Sequence, residues 1–148
     1  MKTLLLKKTF ITASILVALG HAAIVQAYPN ATTVIDAAGT NANATDLGQI
    51  NCDAASDRLY VMVQDQSAPV PGLLLSVHIY SGIQMTTGTD PVSGDANPSP
   101  IISLIGGAGP YFISITKTNV GARLFTVTYQ CANANTLTNT GITALQLQ

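Results

Sequence analysis

Three sets of residues in this chain have the type and spacing to do chemistry. His78 lies close in sequence to Ser76 and Ser81, and an imidazole beside a hydroxyl is the base and nucleophile pair of acyl transfer. That pair also needs an acid to orient the ring, and neither a Gly-x-Ser-x-Gly turn nor an ordered Asp partner accompanies it. His78 therefore reads as a solvated side chain on the polar face of a strand, and no catalytic residue is assigned. Asp90 and Asp95 fall in TGTDPVSGDANP, where carboxylates and carbonyls offer the oxygen ligands that calcium takes. The Asp-x-Asp-x-Asp-Gly order of a calcium loop is missing, and Asp-Pro and Gly-Asp also form turns. Asp90 and Asp95 are carried forward as candidate calcium ligands, with no other cofactor expected.

The third set is Cys52 and Cys131, the two cysteines of the chain. No Cys-x-x-Cys and no neighbouring histidine supports a metal or redox role. In an exported chain the two are expected to form a disulfide. Closing a loop of about 80 residues would contribute about 4.5 kcal/mol in the chain-entropy account. Asn30-Ala31-Thr32 and Asn43-Ala44-Thr45 match the glycosylation pattern, but such matches arise by chance in an Asn- and Thr-rich segment.

Strands must position these residues, and the plainest signal for them runs from Gly109 to Cys131. Tyr111, Ile113 and Ile115 alternate with Phe112, Ser114 and Thr116, and Phe125, Val127, Tyr129 and Cys131 alternate with Leu124, Thr126, Thr128 and Gln130. A period of two with one apolar face is the pattern of a half-buried strand. Asn119-Val120-Gly121 suits a three-residue turn with glycine left-handed, which predicts a hairpin pairing Ile115 with Phe125, Ile113 with Val127 and Tyr111 with Tyr129. Arg58 to Asp65 predicts a strand with Leu59, Val61 and Val63 inward. Leu73 to Tyr80 predicts another with Leu73, Leu75, Val77 and Ile79 inward. Ile101 to Ile105 is a short apolar strand, and Ile142 to Leu147 a last one with Leu145 and Leu147 on one face. Residues 28–49 read as a weakly structured segment, loop or loosely held edge, and Gln84 to Pro100 as a long exposed loop. No helical period is present after residue 27, so the expected fold is all-β, a two-sheet antiparallel sandwich of the jelly-roll or immunoglobulin kind.

The first 27 residues read as a signal peptide: Lys2, Lys7 and Lys8, then an apolar run from Phe10 to Leu19, then Val25-Gln26-Ala27 before the cut. The run is short for a membrane span. Residues 28–148 would then form one domain, exported to the periplasm, the cell surface or the exterior. That domain keeps three basic residues, Arg58, Lys117 and Arg123, against seven Asp and no Glu, a formal charge of −4. Such a balance offers no footprint for nucleic acid or an anionic membrane surface.

From Asp57 to Cys131 the succession DRLYVMV, LSVHIYSG, GGAGPYFISITK and RLFTVTYQC resembles the bacterial pre-peptidase C-terminal domain. The resemblance implies a secreted β-sandwich, with Gly109, Tyr111, Phe125 and Tyr129 in the family's closing pattern. Some members bind calcium, but Ser81 stands where they often carry an acidic residue, and Asp57 stands alone where they carry a pair. Members usually accompany exported hydrolases, so a chain without a second domain implies a stand-alone role. The function expected is therefore a non-enzymatic binding or adhesion-type module for an extracellular protein or glycan. The alternative is a structural subunit of a fibre or pilus-like assembly, self-associating by exchange of terminal strands.

Overall fold

A computed structural model describes residues 28–148 apart from residue 135. The signal peptide expected over residues 1–27 lies outside the described residues. Among those described there are ten strands and no helix: β1 (Asn30–Ile35), β2 (Thr45–Cys52), β3 (Arg58–Asp65), β4 (Leu75–Ser81), β5 (Gln84–Thr89), β6 (Ile102–Ile105), β7 (Gly109–Lys117), β8 (Arg123–Asn133), β9 (Thr136–Leu137) and β10 (Thr140–Gln146). They form two antiparallel sheets packed face to face. The first runs β1-β8-β3-β6, with β9 also on β8, and the second runs β10-β2-β7-β4-β5. No helix is long and apolar enough to cross a membrane among the described residues.

Alternation accounts for the core. Leu59, Val61 and Val63 of β3 and Leu75, Val77 and Ile79 of β4 are buried, with Leu73 just before β4. Tyr111, Ile113 and Ile115 of β7 meet Phe125, Val127 and Tyr129 of β8 in the same cluster. Each such side chain contributes about 1.5–3 kcal/mol by leaving water. Tyr111 satisfies its hydroxyl inside the core, accepting from the Gly106 N–H at 2.9 Å and donating to the Gly107 carbonyl at 2.8 Å.

The expected hairpin does not form. β7 pairs with β2 and β4, and β8 pairs with β1 and β3, so the two arms lie in different sheets and residues 118–122 arch between them. Ile115 faces Asp46 and Val77 in register, not Phe125, and Val127 faces Ala31 and Val63. The apolar residues of both arms still converge, because they point at each other across the sandwich instead of side by side on one sheet. Gly121 has φ +129°, far from the left-handed value near +57° that the turn would have needed. The hydrogen bonds of the arch show where the crossing occurs. The Thr118 N–H donates to the Leu74 carbonyl on the β4 side, whereas the Leu124 carbonyl accepts from the Gln66 N–H on the β3 side.

Three other expectations are corrected. Residues 28–49 hold β1, an edge strand, and most of β2, which lies inside its sheet between β10 and β7. The sequence of β2, TDLGQINC, turns Asp46, Gly48, Ile50 and Cys52 inward, and so few large apolar residues hide the strand from a periodicity search. Gln84 to Pro100 is not one exposed loop, since β5 pairs with β4 through the two-residue turn Gly82-Ile83. Gly82 sits at φ +57°, as the first position of a II′ turn requires. In β10, Leu145 falls at a register irregularity between Ala144 and Gln146, and both Leu145 and Leu147 are exposed, while Ile142 packs on the core.

The disulfide forms as expected. Cys52 at the end of β2 and Cys131 in β8 are bonded with a Cα–Cα distance of 5.5 Å, which ties one sheet to the other. The opposite end of the sandwich is held by charge. Lys117 ends β7 and donates to Asp36 Oδ2 at 2.7 Å and to the carbonyls of Asn41 and Asn119. Arg123 begins β8 and donates through Nε to Asp65 Oδ2 at 3.0 Å and through Nη1 to the Ala68 carbonyl at 2.9 Å. Both pairs are buried.

The Lys117 ammonium on Asp36, aided by the N–H groups of Asn41 and Thr40, holds this carboxyl at about 2, below its ordinary 3.8. A depressed carboxyl stabilises the fold above the unfolded value and loses that contribution as pH falls through the folded one. Denaturant midpoints should therefore decline between about pH 4 and pH 2, and Asp36→Asn should flatten part of that decline. Equal slopes for parent and variant in urea titrations across that range would show that the pair does not carry it.

Candidate binding face

The feature most unlike an inert surface is a row of large apolar side chains across the outer face of the second sheet. Met85 on β5 is the direct partner of Tyr80 on β4, and Tyr80 is the direct partner of Phe112 on β7. Direct partners project to the same side, so the three stand together over about 10 Å, two strand spacings. They are 58%, 36% and 45% exposed respectively. Phe112 is the residue whose outward position breaks the alternation of its strand, which makes it a departure that the fold itself does not require. Gln49 of β2 continues the row beside Phe112, and its amide donates to Asn51 Oδ1 at 2.8 Å, so an amide pair borders the aromatic surface.

His78 lies in the next row. Its partners are Thr87 on β5 and Ser114 on β7. Nδ1 is 2.9 Å from the Thr87 hydroxyl and Nε2 is 3.0 Å from the Thr116 hydroxyl. Burial pushes its pKa below the usual histidine value, so the ring is neutral near pH 7 and braces the sheet between two threonines. Ser76 bonds the Thr89 hydroxyl at 2.8 Å, so neither sequence-nominated serine is its hydrogen-bond partner. The ring instead lies 6.4 Å from that of Tyr80, tilted by 32°, and forms the polar flank of the aromatic row.

Asp90 and Asp95 have separate partners. Asp90 is buried and accepts from the Asp65 N–H at 2.9 Å and the Val92 N–H at 3.3 Å. Asp95 accepts from the backbone and side-chain nitrogens of Asn97 at 2.9 and 3.0 Å. Among the described residues no group of three or more His, Cys, Asp or Glu side chains is placed to hold a metal ion. The segment carrying the two Asp is tied down rather than free: Ser99 exchanges bonds with Val63, and the Ser93 hydroxyl meets Asp65 in the buried cluster around Arg123.

A second apolar surface lies by the first sheet, a hollow of about 180 Å³ lined by Tyr28, Tyr60, Met62, Ile101 and Leu137 among others. The row Met85-Tyr80-Phe112 has little signature in the sequence, because QMTTGT of β5 lacks an apolar alternation and resembles loop. Its one available signal was the outward Phe112. No family model matches this chain, and no curated protein matches it.

Proposed function

We propose that this chain is an exported, non-enzymatic binding module that contacts an extracellular glycan through the outer face of its second sheet. The observation carrying this reading is the exposed, register-aligned row of Met85, Tyr80 and Phe112. Aromatic rings accept the apolar faces of sugar rings, and the bordering amides of Gln49 and Asn51 and hydroxyl of Thr87 suit sugar hydroxyls. A rigid base favours such a platform, since little ordering entropy is lost on binding. Here it comes from β4 and β7, which are hydrogen-bonded on both sides, and from the Cys52–Cys131 bridge. Export is supported by the leader pattern and by the disulfide, which persists in oxidising compartments.

Glycan and matrix-protein arrays probed with the purified protein test the proposal. Tyr80→Ala and Phe112→Ala should each weaken the best hit by about tenfold or more, the scale of a buried aromatic anchor. Tyr60→Ala, in the other hollow, should leave it unchanged. Parent-level binding by both variants would remove this face from consideration, and capture of a protein in place of a glycan would change the partner class. The terminal strands β1 and β10 both lie on sheet edges, which favours strand exchange between copies as the alternative. Elution that shifts with concentration on size-exclusion chromatography, without an array hit, would select that fibre reading.

A further inference from the structure

The edge strands β1 and β10 flank one side of the sandwich and leave a cleft of about 230 Å³ between the sheets. Its floor is the core itself, including Ile115 and Phe125, and its rim is lined by small residues, Ala31, Gly48 and Ala144. One ionisable side chain lines this apolar space. Asp46 points inward from β2 and is 3% exposed. Its Oδ1 accepts from the Gln148 N–H at 2.8 Å, while its Oδ2 has no hydrogen-bond partner among the described residues.

A buried carboxylate oxygen without a donor is costly. Desolvation accordingly raises the Asp46 carboxyl above its ordinary 3.8. The described part of the chain has no cation to spare for it. Arg58 is paired with Asp57, Lys117 with Asp36 and Arg123 with Asp65. Asp46 Oδ2 is thus left without a donor or a countercharge among the described residues.

We propose that this seam binds a small molecule with an apolar body and a primary ammonium head, the body lying on Ile115 and Phe125 and the ammonium donating to Asp46 Oδ2. The size of the cleft bounds the ligand. It exceeds the roughly 150 Å³ cavity that holds benzene and falls short of the roughly 300 Å³ at which drug-sized sites begin, so the body is a single ring or a short alkyl chain. An ammonium meets the charge of the carboxylate as well as its lone pair, whereas a neutral hydroxyl leaves a buried charge uncompensated.

The test is an amide-resolved NMR titration of the purified protein with benzylammonium chloride and, in parallel, benzyl alcohol. Saturable shifts confined to the strands that line the cleft, β1, β2, β10 and the facing parts of β7 and β8, are expected with the amine, at an affinity about tenfold or more above that of the alcohol. Asp46→Asn keeps an acceptor for the Gln148 N–H and should bring the two affinities together. Ala144→Leu, which fills the cleft from the exposed edge strand, should weaken both ligands and serves as the decisive variant should Asp46→Asn fail to fold. Equal affinity for amine and alcohol in the parent, shifts elsewhere on the surface, or no saturable shift at all overturns the proposal. None of these outcomes bears on the aromatic row of the second sheet, which lies on the outer face.

Discussion

Arg123→Met is expected to cost about 3–5 kcal/mol of folding stability, because it leaves the Asp65 carboxylate buried without its cation. Asp65 is wholly buried and takes both Nε and Nη2 of Arg123, together with the Ser93 hydroxyl and the Ser67 N–H. Arg123 also reaches the Ala68 carbonyl, so its loss frees the chain segment after β3 as well as the charge. The proof lies in the double variant. Arg123→Met with Asp65→Leu removes both charges and should recover much of the loss, since replacing a buried pair by apolar groups of similar volume is often neutral or better. Urea midpoints at constant m-value measure both. A single variant within about 1 kcal/mol of the parent would mean that water reaches Asp65 and that the pair is not a structural clamp.

Removing the disulfide is expected to cost about 2–5 kcal/mol, by dithiothreitol or by Cys52→Ala with Cys131→Ala. The bond joins positions 79 apart in sequence and connects the two sheets, so its loss leaves the unfolded chain far less constrained. Its place in the fold sharpens the expectation. Cys52 pairs with Gly109, the first residue of β7, whereas Lys117 ends that strand. The disulfide and the buried ion pairs thus hold opposite ends of the sandwich, and effects at distant sites add. Combining cysteine removal with Arg123→Met would take about 5–10 kcal/mol from a domain of this size, comparable to all the stability such domains possess, and should abolish folding. A cooperative thermal transition in the combined variant would show that one of the two clamps contributes little.

The clamp at the arch was partly legible. Continuing the period-two pattern of Tyr111, Ile113 and Ile115 places Lys117 on the inward face, and the pattern of Cys131, Tyr129, Val127 and Phe125 places Arg123 there too. A cation carried inward must find a carboxylate, but nothing in the residue order says which of seven Asp answers it. Asp36 and Asp65 are 81 and 58 positions away in the chain, a separation that only the packed sheets can close. The Met85-Tyr80-Phe112 row has the same origin. Its members come from three strands, and no spacing along the chain links Phe112 to Tyr80.

By itself, the residue order determined which side of each regular strand is apolar, that both sheets bury those sides against one another, and that no helix interrupts them. These follow from local alternation, because side chains on a strand must point to opposite faces and water expels one of them. Tertiary structure alone decided which strands exchange backbone hydrogen bonds. Alternation is identical whether β7 and β8 lie side by side or face to face, and either arrangement buries the same residues. The choice of the arch fell to groups distant in sequence, the Asp partners of Lys117 and Arg123 and the inward-facing β2 that occupies the place beside β7 where a hairpin would have put β8.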